Sequence, residues 1–159
     1  MERLTYYIDR GNGNYDPFYE YTISSVGKDE MYARQLCTYF ILRGTQYELI
    51  SNEMDGEEDI LVIKEMGRNL SGEDEKSFRG EGIHIEFRSP SERENFRLHS
   101  RIPCKTHFEV LRFLLKDIVD IPQIGRMLVT STEIDEDRGV YVIYVKDLGE
   151  NNVEPARLP

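Results

Sequence analysis

The chain has 159 residues, of which 39% are hydrophobic and 31% are charged, a balance that excludes both a disordered tail and a membrane protein. Its formal net charge of −10 opposes binding to nucleic-acid phosphates and to anionic membranes. No apolar run approaches the roughly 20 residues needed to cross a bilayer. With only two cysteines and no apolar stretch at its N-terminus, the sequence predicts a cytoplasmic protein.

The first half of the chain predicts two strands, a helix and two more strands. The expected strands cover residues 3–9, 18–25, 47–54 and 60–64, and the helix covers residues 29–44. Acidic Asp29 at its start, and Arg43 with Gly44 at its end, match the helix dipole and a left-handed C-cap. Asp55-Gly56 predicts a hairpin between the last two strands.

A Gly-rich, charged stretch of about residues 68–81 predicts a linker, and the element order then recurs. Strands are expected at residues 83–87, 96–102, 127–134 and 140–145. Thr106 and Glu109 form a capping box that starts a second helix, which Pro122 ends.

Two pairs of segments suggest an internal duplication. The sequence SNEMD of residues 51–55 parallels STEID of residues 131–135, and ILVIKEMG of residues 60–67 parallels VIYVKDLG of residues 142–149. The expected organisation is one domain over residues 1–159. It holds repeat one (about 1–67), the linker (about 68–81), repeat two (about 82–149) and a tail (150–159).

The predicted fold class is therefore α+β, with two tandem ββαββ repeats that form a mostly antiparallel sheet with two helices. Strands 60–63 and 140–145 are apolar on both faces, so each is expected to be central and covered on both sides. The second half, or another copy of the chain, is the expected cover, which predicts a homo-oligomer.

Two groups of residues are candidates for a binding site. A local positive stripe of Arg97, His99 and Arg101, with Arg88 and His84 on the neighbouring strand, could hold a small anionic ligand or an acidic protein. Clustered tyrosines of the first hairpin, with Tyr19 and Tyr21 as the named candidates, are typical of binding surfaces as well as of core edges.

Metal binding has only weak candidates. His99, Cys104 and His107 could surround a zinc ion, but their spacing matches no zinc motif, so no metal and no cofactor are predicted. The acidic pairs Glu53/Asp55 and Glu133/Asp135 end equivalent strands, where charge also keeps a hairpin tip soluble.

No catalytic motif appears in the sequence, and the catalytic residues are unknown. The favoured function is a non-enzymatic binding or regulatory protein, a homodimer, that acts through a sheet surface or the groove between the repeats. The alternative is a small-molecule or metal-dependent enzyme with its site between the repeats, drawing on His84, His99, Arg97, Arg101, Glu53 and Glu133.

Overall fold

The computed structural model describes residues 2–149 and contains one mixed sheet with three α-helices. The expected tail of residues 150–159 lies outside the described residues. The strands are β1 (Arg3–Gly11), β2 (Asn14–Thr22), β3 (Tyr39–Leu42), β4 (Thr45–Asp55), β5 (Glu58–Arg68), β6 (Ile83–Arg88), β7 (Leu98–Cys104), β8 (Ile118–Ile121), β9 (Gly125–Asp135) and β10 (Val140–Lys146). The helices are α1 (Ile23–Val26), α2 (Lys28–Gln35) and α3 (His107–Leu114).

The predicted fold class is wrong. Within the described residues, strands hold 53% of the chain and helices 16%, and the sheet has ten strands with parallel pairs among them. The strands follow the order β2-β1-β5-β4-β3-β9-β10-β6-β7, with β8 beside β9. Strands β1 and β5, β6 and β10, and β3 and β9 run parallel. The prediction failed because hairpin signals report antiparallel neighbours, whereas parallel pairs join segments distant in sequence.

Both expected helices are shorter than predicted, and each is followed by a short strand. Helix α2 ends at Gln35 and α3 at Leu114, and the chain then forms β3 and β8. These segments are largely apolar, and their sequences fit either a helical stripe or a buried strand: Tyr39-Phe40-Ile41-Leu42 and Ile118-Val119-Asp120-Ile121. They are strands because β4 and β9 offer them a ladder of backbone partners.

The two halves share one strand arrangement. Each has two strands, a helical segment (α1 and α2 in the first half, α3 in the second) and three more strands, and in each the last strand returns parallel to the first. The unit therefore has five strands where the sequence predicts four. The halves join where β3 lies between β4 and β9.

The main core lies on one face of the sheet, under α2 and α3. Leu4, Tyr6, Phe40 and Ile63 of the first half share it with Ile143 and other residues of the second. We call this side the helix face and the opposite side the far face. No helix within residues 2–149 is long and apolar enough to cross a membrane.

Candidate binding surface on the far face of the sheet

The far face of the second half is covered by the chain itself. Residues 69–82, the segment expected to act as a linker, run across it and form no strand or helix. Phe78 from this segment is only 2% exposed and packs against Val140 and Val142, with Tyr144 at the edge of the cluster. Its ring also stacks at 4.5 Å, between centroids, on His84. We call residues 69–82 the covering segment.

A buried carboxylate lies beneath the covering segment. Glu86 is 0% exposed and accepts hydrogen bonds from Arg88 at 2.8 Å, Arg101 at 2.8 Å and Arg138 at 2.9 Å. Burial alone would raise the pKa of Glu86, but hydrogen bonds from Arg138 and Arg88 outweigh it and lower the pKa to about 2. The carboxylate therefore stays charged at any physiological pH.

The same three arginines hold the covering segment in place. Arg88 donates to the Glu73 carbonyl at 2.6 Å, Arg138 donates to the Lys76 carbonyl at 3.1 Å, and Arg101 donates to the Asp74 carbonyl. Each guanidinium thus joins the Glu86 carboxylate to a segment carbonyl, which the five donors of arginine permit. These contacts are structural, since every partner belongs to the chain itself.

Two further acids on this face, Glu133 and Asp135, are buried beside β10. Burial, with the neighbouring Asp135 charge, raises the pKa of Glu133 to about 8. Burial also raises the pKa of Asp135, although its ion pair with Arg138 at 3.0 Å opposes that shift. The Tyr144 hydroxyl donates to a Glu133 carboxyl oxygen at 3.2 Å, which opposes the shift without cancelling it. Because the pKa of Glu133 is about 8, this side chain is mostly protonated at neutral pH.

The far face of the first half is built in the same register but carries different side chains. Thr5 lies beside Ile60, and Glu53 opposite Ile60, as Glu86 and Glu133 lie beside and opposite Val142. The corresponding pairs of first-half and second-half residues are Thr5 and Glu86, Tyr7 and Arg88, Glu20 and Arg101, Glu53 and Glu133, Ile60 and Val142, and Val62 and Tyr144. Where the second half has arginines that bind the covering segment, the first half therefore has an apolar strip, formed by Tyr7, Ile60 and Val62, with acidic neighbours.

The described residues leave this first-half surface open. Tyr7, Tyr15, Glu53, Ile60 and Val62 line a shallow depression of about 270 Å³. Tyr15 is 53% exposed and Tyr7 and Ile60 are partly exposed, whereas Val62 is buried. We call these five residues the open surface. A depression of this size is smaller than pockets that enclose a drug-sized molecule, so it suits an extended or flat partner.

The boundary between the halves holds a second, smaller cavity. It measures about 150 Å³, and Glu30, Arg34, His107 and Glu136 are among the residues that line it. Arg34 is buried and already binds Glu30 at 3.1 Å, Glu136 at 2.8 Å and the Tyr21 hydroxyl at 2.9 Å. The polar groups that line this cavity therefore bind one another across the boundary between the halves, and few of them are available to bind a substrate.

The residues of the predicted positive stripe are not all brought together. Arg88 and Arg101 both bind Glu86, so a carboxylate of the protein itself compensates their charge. Arg97 is exposed and precedes β7, and His99 is partly buried. Burial and the Arg97 charge lower the pKa of His99. His84 packs against the Phe78 ring and lines the small cavity at the boundary between the halves, away from Arg97 and His99 in the chain.

The two candidate tyrosines have different surroundings. Tyr21 is buried, and its ring lies 3.9 Å below the Arg34 guanidinium carbon. Tyr19 is partly exposed, with its ring 4.9 Å from that of Tyr21. Both lie at the helix-face core rather than on the open surface. The tyrosines of the open surface are Tyr7 and Tyr15, which point to the far face of the sheet, opposite to Tyr19 and Tyr21.

His99, Cys104 and His107 are not gathered into a metal site. Across residues 2–149, no three His, Cys, Asp or Glu side chains are grouped so that they could hold a metal ion. His107 instead approaches Glu30, with its Nε2 3.4 Å from a carboxylate oxygen. Burial and the Glu109 charge raise the pKa of Cys104 to about 11, which disfavours the thiolate that zinc prefers.

Sequence reasoning missed the residues that organise the far face, above all Phe78 and Glu86. Phe78 is the only large aromatic residue in a Gly-rich, charged stretch, and a single large apolar side chain there indicates that the stretch packs against the hydrophobic surface of the protein. Glu86 takes a polar position in the regular alternation of β6, so the sequence predicts that it lies on a solvated face and gives no signal of its burial.

Comparison with protein-family models, with curated proteins and with solved structures finds no match for this chain.

Proposed function

We propose that the protein is a non-enzymatic binding protein and that the open surface of its first half holds a partner protein. The observation that carries this proposal is the difference between the halves. The covering segment buries the far face of the second half, whereas the corresponding strip of the first half, around Tyr7 and Ile60, is left to solvent. An apolar strip on an otherwise charged protein is typical of an interaction site.

The chemistry of the surface supports binding rather than catalysis. Tyrosine side chains supply large, rigid contact areas at low entropic cost, and they are enriched at protein interfaces. Glu53, at the edge of the strip, is exposed to solvent, whereas catalytic acids and bases typically lie in partly desolvated clefts.

Selection from a random-peptide phage library on the immobilised protein tests the proposal. We expect enriched peptides whose binding is lost in the Ile60→Lys variant, because a charge in the middle of the strip opposes apolar contact. Tyr15→Lys, at an exposed edge-strand position that tolerates polar residues, is expected to weaken binding without affecting folding.

The matched control is Phe108→Lys, which changes an exposed aromatic residue on α3, on the other side of the sheet. It is expected to bind the selected peptides as the wild type does. Peptides that bind all three variants equally, or a library without any enrichment on this protein, would contradict the proposal.

A further inference from the structure

The covering segment shows, within this molecule, how a peptide occupies such a face. It lies across β10 and β6 in an irregular conformation with two turns, inserts one aromatic ring, and is held through its backbone carbonyls. Because the first half repeats the same strand register, its open surface offers the same geometry to a segment from another protein.

The groups that grip the segment differ between the halves. On the second half, the sheet supplies the donors, since Arg88 and Arg101 reach the segment's carbonyls. On the first half, Tyr7 and Glu20 stand at those two positions. A partner that is held there must therefore bring its own donors to the carboxylates.

The net charge of the first half also favours a partner with basic side chains. Residues 1–68 carry seven basic and 13 acidic side chains, a net charge of −6. Around the strip, Arg3 forms ion pairs with Glu58 and, at 3.7 Å, with Glu20. Glu53 adds a further exposed carboxylate. Because Arg3 is paired with both Glu58 and Glu20, the exposed Glu53 and the net charge of the first half are what disfavour an acidic segment as well as a second copy of the same face.

We infer, building on the proposed function, that the partner of the open surface is an extended protein segment that carries an aromatic residue flanked by lysine or arginine. Its ring packs on Ile60, which occupies the position of Val142 beneath Phe78, and on the neighbouring Tyr7. Its cations meet the exposed carboxylate of Glu53 at the rim and compete with Arg3 for Glu20.

Three synthetic peptides test the inference by fluorescence anisotropy. The first has the sequence of residues 69–82. The second has lysine in place of Glu73, Asp74, Glu75 and Glu81, and the third is the second with serine in place of Phe78. We expect only the second to bind well, at least about tenfold more tightly than either of the others.

Protein variants locate the binding. Ile60→Lys is expected to abolish binding of the second peptide, whereas Glu53→Gln is expected to weaken it about threefold and to reduce its salt dependence. The matched control for Glu53→Gln is Glu92→Gln, an exposed carboxylate in the 3₁₀ turn of the second half, which should leave the affinity unchanged.

Each outcome bears on one claim. Equal affinity of the second and third peptides, or binding that survives in Ile60→Lys, would overturn the inference, since charge alone would then explain the binding. If phage selection yields Ile60-dependent peptides without aromatic and basic residues, the inference fails while the proposed function stands.

Discussion

Glu86 is fully buried and yet charged, because three guanidinium groups surround its carboxylate. Such clusters are costly to break, since removing the carboxylate leaves buried cations without a partner. The arginines of the cluster also hold the covering segment, so a change at Glu86 affects both the sheet and the covering segment.

Glu86→Gln is expected to lower the free energy of unfolding by about 3–5 kcal/mol, because the amide leaves the buried Arg88 guanidinium without its carboxylate partner. Urea unfolding followed by circular dichroism measures the change. The control, Glu92→Gln, alters an exposed carboxylate and is expected to stay within about 0.5 kcal/mol of wild type. Equal stabilities of the two variants would show that the cluster contributes little.

Glu133 is expected to make stability depend on pH. Its pKa is about 8 in the folded protein and 4.5 as an ordinary value, so between these pH values the folded state keeps a proton that the unfolded state has lost. The free energy of unfolding therefore falls as pH rises from about 4.5 to about 8, by at most about 1.4 kcal/mol per pH unit from this group.

Glu133→Gln should remove this loss. Relative to wild type, the variant is expected to gain stability between pH 5 and pH 8, which urea unfolding at several pH values measures. The difference between the two proteins isolates Glu133 from histidines that titrate in the same window. Asp135, Arg138, Tyr144 and Glu75 face the group in both proteins. A difference that is constant with pH would show that Glu133 is not protonated in the fold.

At the scale of elements, the covering segment behaves as part of the core although it has no regular structure. Backbone contacts fix it along its length, including the bond from the Phe78 amide to the Arg138 carbonyl at 2.7 Å. Gly139, next to Arg138, has a φ of +67°, and a Cβ there would lie 3.2 Å from an Arg79 side-chain carbon. The turn between β9 and β10 is therefore shaped to receive the segment.

Phe78→Ala is expected to destabilise the protein by about 3–5 kcal/mol, the usual cost of removing a buried phenyl ring. It should also increase amide hydrogen exchange in residues 69–82, because the segment loses its only aromatic anchor. Phe108→Ala, at a residue that is 69% exposed, is the matched control and should change neither quantity. Unchanged exchange in the Phe78 variant would show that the arginine contacts alone hold the segment.

At the scale of the whole molecule, the two halves join through β3 of the first half, and the corresponding strand of the second half, β8, makes no such contact with another half among the described residues. Ile41 of β3 is fully buried beside β9, whereas Asp120, at the corresponding position of β8, is exposed. Within residues 2–149, β8 pairs with β9 alone. A charged residue on such an edge strand opposes pairing with another chain.

Asp120→Val is accordingly expected to increase self-association, measured by sedimentation velocity over a range of protein concentrations. Asp117→Val, just before β8, is the control and should leave the sedimentation coefficient unchanged. If Asp120→Val sediments as the wild type does, the charge does not protect this edge. The homo-oligomer expected from the sequence stays a prediction, and the wild-type series in this experiment tests it.

Much of the local structure was predictable. The alternation around Leu4, the capping box at Thr106 and the hairpin signal Asp55-Gly56 all correspond to observed elements, and the Thr106 hydroxyl accepts from the Glu109 amide at 3.4 Å. These features depend on neighbours within a few residues, so the sequence contains their causes.

The sequence by itself determined where most strands lie and which of their side chains alternate toward the core. Only the tertiary structure decided that β3 and β8 are strands, that three strand pairs are parallel, and that residues 69–82 cover one half and leave the other open. The physical reason is that these features depend on contacts between segments far apart in the chain. There, packing and charge compensation, as around Phe78 and Glu86, outweigh local propensity.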